Sequence, residues 1–242
     1  MSAYSRRSKK MKKTLLSLLA ILLVACAKNA EQPTGFVTIQ GHDLIQPNGE
    51  KLFIQGTNLG NWLNPEGYMF GFSRTNSAWM IDLLFKEAVG PDETAKFWQQ
   101  FKDNYVTRAD IDFIASQGAN TIHLPFNYKL FTDEDYMGQT GAKDGYERID
   151  SVVSWCKANG LYLILDMHDC PGGQTGDNID NGHGYPWLFE SEPSQQLFCS
   201  IWREIADSKL PNLFAINLCL GLIMPHQSSP STVLTPPMRC SA

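Results

Sequence analysis

The densest group of chemically capable side chains in this 242-residue chain is Asp166-Met167-His168-Asp169. It follows the apolar stretch 161–165, which reads as a strand of a buried, parallel sheet. Polar residues placed directly after such a strand stand at its C-terminal end. Asp166 and His168 alternate with Met167, so the two share one side of the chain. Asp166, His168, Asp169 and Asp177 could together suggest a metal site, but no further ligands follow at a recognisable zinc or calcium spacing. No metal and no cofactor is therefore expected. His168 is the leading site residue because the strand fixes its position; the structural alternative is that it caps the loop that starts at Cys170.

Two other strand ends carry polar groups. Gly56-Thr57-Asn58-Leu59-Gly60-Asn61-Trp62 reads as a loop after a strand, with Glu66 just beyond it. Residues 120–124 read as a strand holding His123 and followed by Pro125-Phe126-Asn127. Asn58 and Asn127 are candidates either to bind hydroxyl groups or to fix their loops. Glu66 alone in a loop also reads as a solvated acid, and His123 as a hydrogen-bonded core histidine.

The elements that must hold these residues follow an alternating order. Residues 36–44 and 51–56 read as a hairpin around Pro47-Asn48-Gly49. Helices are expected over 78–88 and 92–105, the second with Phe97, Trp98, Phe101 and Tyr105 at helical spacing. Thr107 and Asp110 form a capping box for a third helix, which Gly118 closes. Further helices are expected over 146–158 and 194–207. Strands alternating with helices mean a parallel sheet. A doubly wound sheet usually opens with a glycine phosphate fingerprint, and none is present. The expectation is an α/β fold, an incomplete (β/α)₈ TIM barrel built of an N-terminal hairpin and about three β/α units.

A formal charge of -5 argues against nucleic-acid binding, which needs a positive surface. The N-terminus carries Arg6, Arg7, Lys9, Lys10, Lys12 and Lys13, then an apolar run over 15–24 too short to span a bilayer. The run ends in Leu23-Val24-Ala25-Cys26, which looks like a bacterial lipobox. Residues 1–26 are thus read as a lipoprotein signal peptide with Cys26 lipidated, and 27–35 as a polar tether. The expected location is outside the cytoplasm, on the periplasmic or cell-surface side, held to the membrane by lipid. The remaining five cysteines form no CxxC pair, and their pairing stays open.

Three ordered segments carry a family likeness. Gly56-Thr57-Asn58-Leu59-Gly60-Asn61-Trp62-Leu63 with Glu66, Gly118-Ala119-Asn120-Thr121-Ile122-His123-Leu124-Pro125-Phe126, and Leu163-Ile164-Leu165-Asp166-Met167-His168-Asp169-Cys170-Pro171-Gly172-Gly173-Gln174 resemble the first three strands of cellulase-like glycoside hydrolases of family 5. The flavour is that of exo-β-1,3-glucanase and endoglucanase relatives, and the likeness covers 36–207. The resemblance implies retaining hydrolysis of β-glucans by two Glu residues, with β-glucan or an oligosaccharide as partner. It implies that His168 hydrogen-bonds sugar hydroxyls and that Glu66 contacts the terminal sugar. Trp62 and Trp187 become candidates for stacking on a sugar face, with core packing as the alternative for each. At His123 the family usually has an Arg that steadies the nucleophile; a neutral, shorter His cannot supply that fork of donors.

The pattern stops after the helix that holds Ile201-Trp202-Arg203-Glu204-Ile205-Ala206. The family's Asn-Glu-Pro motif does not follow, and beyond Asp207 the sequence has no Asp or Glu. No catalytic residue is assigned, and 208–242 is read as an unrelated tail without packed structure. A shifted or shortened reading frame accounts for this; a noncatalytic, glucan-binding surface lipoprotein is the alternative. An unclosed barrel would leave the third strand as an open edge, prone to self-association.

Overall fold

The computed structural model describes residues 37–138, 143–177, 180, 182, 184–209 and 216–219. The basic leader, Cys26 and the 27–35 tether lie outside the described residues, as does most of 208–242.

Strands β1 (Thr38–Gln40) and β2 (Asp43–Ile45) form an antiparallel ribbon with Thr38 opposite Ile45. This corrects the expected pairing of 36–44 with 51–56. Gly41, at φ 65°, supplies a left-handed residue that closes the ribbon earlier in the chain than Pro47-Asn48-Gly49. The later turn also forms, with the Gly49 N–H donating to the Gln46 carbonyl at 2.8 Å, but it leads only to a single bridge between Ile45 and Lys51.

A second sheet is parallel throughout. Its strands β3 (Gly56–Asn58), β4 (Thr121–Asn127), β5 (Tyr162–Asp169) and β6 (Ile216–Cys219) lie in the order β3-β4-β5-β6. Gly56-Thr57-Asn58 is thus a strand in its own right, not the loop after one. Helices α1 (Ala78–Val89), α2 (Pro91–Asn104) and α3 (Arg108–Ser116) connect β3 to β4. Helix α4 (Lys143–Ala158) connects β4 to β5, and α5 (Glu192–Lys209) lies between β5 and β6. A doubly wound sheet reverses its strand order at a switch point. Here the order is sequential without reversal, and the sheet is open, so the architecture is an incomplete (β/α)₈ TIM barrel.

Local chemistry sets the helix ends. The Ser77 hydroxyl caps α1 by accepting from the Met80 N–H at 3.4 Å. Pro91 opens α2, with Asp92 and Glu93 in its positive first turn. The Thr107–Asp110 capping box starts α3 as its sequence predicts, and Gly118 turns the chain at φ 88°.

Strands β4 and β5 run further than their apolar stretches suggest, so Asn127, Asp166 and His168 are strand residues. Pro125 pairs in register with Asp166 although it lacks an N–H. The neighbouring bonds explain why this is tolerated: the His123 carbonyl accepts from Leu59, and Asn127 donates to Leu63. The bonding groups of odd-numbered β4 residues therefore face the β3 side, where the chain has already left the sheet after Asn58.

The outward face of the sheet builds the core. Ile122, Leu124, Phe126, Leu163, Leu165 and Met167 are all buried. Phe126 meets Trp202 of α5 with ring centroids 5.7 Å apart. The expected open edge on β5 is corrected: β5 pairs with β6 from Leu163 opposite Ile216 to Asp166 opposite Cys219. Part of the stretch expected to be unpacked thus supplies the fourth strand, and the sheet edges among the described residues fall at β3 and β6.

Candidate active site

The face opposite the core carries His123, Asp166 and His168. His123 sits opposite Ile164, two residues before the level of Asp166 on the same face. From there its Nε2 comes within 3.2 Å of Asp166 Oδ2, while His168 Nδ1 lies 2.8 Å from the same oxygen. Burial pushes the Asp166 carboxyl up, but the hydrogen bonds from His123 and His168 outweigh it and hold the group below the ordinary carboxylate range. Asp166 is therefore an anion, and each imidazole turns an N–H toward it. That assigns the His168 proton to Nδ1 and leaves Nε2 as the nitrogen that can serve a ligand. The hydrogen bond to Asp166 raises His168 above the ordinary imidazole value against the opposing effect of burial, with the charges of Asp166, Glu66 and Asp180 adding to the rise. The second carboxylate oxygen, Asp166 Oδ1, is buried and has no hydrogen-bond partner among the described residues.

Glu66, which follows β3 in the chain, interacts electrostatically with His168. It is 8% exposed, not a solvated loop acid. Asn61, in a left-handed conformation at φ 63°, accepts the Glu66 N–H on its Oδ1 at 3.0 Å. Gly67 then allows close passage, because a Cβ there would stand 1.9 Å from the Thr75 carbonyl. Burial pushes the Glu66 carboxyl up, and His168 partly offsets this. A buried acid, an anion and two imidazoles thus share one electrostatic site, suited to orienting hydroxyl groups as donors and acceptors.

The loop after β5 is braced from within. The Gln174 amide donates to the His168 carbonyl at 2.5 Å and accepts the Cys170 N–H at 3.0 Å. His168 therefore anchors the loop through its backbone while its side chain serves the cluster, which joins the two readings of that residue. Buried Asp180 accepts the N–H groups of Thr175, Gly176 and Gly182 at 2.7, 2.9 and 3.2 Å. Sequence reasoning missed Gln174 and Asp180. The Gly172-Gly173 step was their signal, since a Cβ on Gly173 would stand 3.1 Å from Asp180 Oδ2. From the sequence Asp166 reads as a possible metal ligand, and its alternation with His168 on one side of the strand is the signal for the pair the structure forms.

Of the four other expected site residues, Trp62 and Asn127 take structural roles. Trp62 is 1% exposed and its indole N–H donates to the Lys102 carbonyl at 2.8 Å, so it packs in the core and cannot stack on a sugar. Asn127 is 0% exposed; it donates to Asn64 Oδ1 at 3.1 Å and Asp169 Oδ2 at 2.5 Å, and accepts from the Lys129 N–H at 3.0 Å. It fixes its loop and does not reach a ligand. Trp187 stands half exposed on the short 3-10 turn Trp187–Phe189. Asn58 is exposed on the face of His123, opposite it in the β3–β4 register.

An unclosed parallel β/α barrel with imidazoles and carboxylates gathered toward the C-terminal ends of its strands has its polar cluster where barrel enzymes carry their active sites. Residues 85–212 match the model of the cellulase family, glycosyl hydrolase family 5, and the chain belongs to that family. Among similar proteins, a beta-xylosidase of Phanerodontia chrysosporium is 30% identical over 172 residues, covering 71% of this chain and 36% of that protein. A probable glucan 1,3-beta-glucosidase A of Aspergillus clavatus is 27% identical over 202 residues, covering 81% of this chain and 45% of that protein. The crystal structure of rutinosidase from Aspergillus niger superposes with a TM-score of 0.54 at 21% identity, over 68% of this chain and 47% of that one, and shares the fold. The chain therefore spans less than half the length of the curated relatives it matches.

Proposed function

We propose that this chain is a sugar-holding portion of a family 5 glycoside hydrolase acting on β-glucans, and that the 242 residues alone bind glucan without cleaving it. The observation that carries the reading is the convergence of His123 and His168 on one buried Asp166 oxygen, with Glu66 in their field. An anionic Asp166 fixes both rings, so the His168 Nε2 meets a sugar hydroxyl in a set orientation. The Glu66 carboxyl, pushed up by burial, offers oxygens that can accept from a second hydroxyl.

Retaining hydrolysis needs two carboxyl groups about 5–5.5 Å apart, one to protonate the leaving oxygen and one to attack. Asp166 is committed through Oδ2 to two imidazoles. No acid occurs after Asp207 within these residues, which supports binding without turnover. Assays on laminarin, cellulose and an aryl β-glucoside should yield no product. Turnover that disappears on Glu66→Gln or Asp166→Asn would overturn the proposal.

Export with lipid attachment at Cys26, supported by the basic leader and the Leu23-Val24-Ala25-Cys26 sequence, would hold the sugar site outside the cytoplasm. Intact mass of the mature N-terminus tests it. An unacylated product cleaved elsewhere would refute it.

A further inference from the structure

We propose that the N-terminal end of the parallel sheet, where Ile39, Phe53, Ile54 and Phe113 stand exposed, rests on a lipid bilayer and turns the His168 cluster toward the surrounding medium. This rests on the reading of Cys26 as the lipid-bearing residue.

Scattered exposed apolar side chains are ordinary on a protein surface, whereas a group of them at one place marks a contact. The three most exposed large apolar side chains among the described residues are Phe53, Ile39 and Phe113, at 75%, 69% and 64%. Ile54, next to Phe53, is half exposed.

Hydrogen bonds place all four residues at the same end of the sheet. Ile39 pairs with Leu44 across the β1–β2 ribbon, and the Leu52 N–H donates to the Leu44 carbonyl at 2.7 Å, which sets Phe53 beside that ribbon. The Asn120 amide donates to the Phe53 carbonyl at 2.8 Å and accepts the Gln55 N–H at 2.9 Å. Asn120 immediately precedes β4, so this segment lies at the strands' N-terminal ends. The hydroxyl of Tyr162, the first residue of β5, donates to the Gln46 side chain at 2.9 Å and holds the ribbon there. Phe113, in the last turns of α3, lines one groove with Gln55 and Gly56, where β3 begins. His168 stands near the other end of β5, roughly 20 Å from Tyr162 along the strand.

The chain that precedes this end names the occupant. Residues 27–36 join Cys26 to Val37, and at full stretch they span no more than about 40 Å. Strand β1 begins at Thr38, so this end is the part of the folded body that the anchor holds closest along the chain. A tether of that length keeps the apolar end near the bilayer at an effective concentration on the order of millimolar. A weak contact then becomes a populated one. Interfacial binding grows with the apolar area buried, and a second contact strengthens a lipid anchor that alone is reversible. Lys51 and Asp43 neutralise each other at 2.6 Å in the ribbon, which lowers the cost of bringing this end to a neutral lipid surface.

The test uses the full chain with neutral phosphatidylcholine vesicles that contain a photoactivatable acyl chain, and maps the labelled peptides by mass spectrometry. Label should fall on the peptides that hold Phe53 and Phe113, and not on the peptide that holds Trp79, Leu83 and Leu84, which are also exposed. The double variant Phe53→Glu, Phe113→Glu should take about tenfold less label, because interfacial contact scales with apolar area. It should still float with the vesicles through its acyl group, with unchanged circular dichroism. A floating, acylated chain with no label at Phe53 and Phe113, equal label on the Trp79 peptide, or unchanged label in the double variant would each overturn the inference and leave lipid attachment at Cys26 standing. Label at Phe53 and Phe113 on a chain whose mass shows no acyl group would support this surface and defeat the Cys26 reading alone. A concentration-dependent dimer that shields Phe113 from the label would assign this end to a second copy of the chain and overturn the inference.

Discussion

His168 Nδ1 lies 2.8 Å from Asp166 Oδ2, a hydrogen bond between residues two apart on one strand face. Because Asp166 is anionic, this bond sets the His168 tautomer and raises its pKa. Asp166→Asn keeps the shape and removes the charge. The His168 pKa should then fall toward the ordinary imidazole value, as read from imidazole proton shifts in an NMR titration. An unchanged His168 titration would show that Asp166 does not control it.

The same pair makes stability depend on pH in a defined sense. His168 is raised on folding, so its contribution is full below the unfolded imidazole pKa and is lost as pH rises through the higher folded value. Asp166 is depressed, so its contribution is full above the unfolded carboxylate pKa and is lost as pH falls through the lower folded value. The pair therefore supports the fold most between about pH 3.9 and about pH 6.5. Urea midpoints of the wild type should exceed those of Asp166→Asn most clearly in that window. A difference that grows above neutral pH would contradict the assignment.

Much of this arrangement was legible in the sequence, for identifiable reasons. The buried run 161–165 and its polar end placed His168, because a continuous apolar stretch marks a parallel strand. The Thr107–Asp110 box placed α3 because capping is local chemistry. Trp62 and Asn127 were not legible as core and loop groups, since their partners, Lys102 and Asp169, are 40 and 42 residues away in the chain. The hairpin register was missed because Gly41 competes with Pro47-Asn48-Gly49, and a propensity for turns does not say which turn the strands follow.

Trp62 is a structural residue on this account. Trp62→Ala should cost about 3–5 kcal/mol, by loss of a fully buried ring and of its bond to Lys102. Chemical denaturation would show it. A change below about 1 kcal/mol, typical of exposed positions, would mean that the ring is not packed as described.

Lys102 is fully buried and its ammonium lies 2.5 Å from Asp144 Oδ2, joining α2 to α4. Burial lowers the Lys102 pKa, with Asp144 opposing the shift. Asp144→Ala would leave that charge without its main partner, a change that costs about 3–5 kcal/mol in buried pairs. Lys102→Met, which removes the charge and keeps the volume, should be tolerated better. Equal losses in the two variants would argue against a buried ion pair.

The central claim is that His168 and Glu66 hold a sugar on the C-terminal face of this sheet. Calorimetric titration of a short β-gluco-oligosaccharide into the full chain and into His168→Ala and Glu66→Gln tests it most directly. The wild type should bind saturably. Each variant should lose about 1–3 kcal/mol, the cost of an unmade hydrogen bond in a buried site, with unchanged circular dichroism. Equal affinity in the wild type and both variants, or no binding by the wild type, would contradict the account.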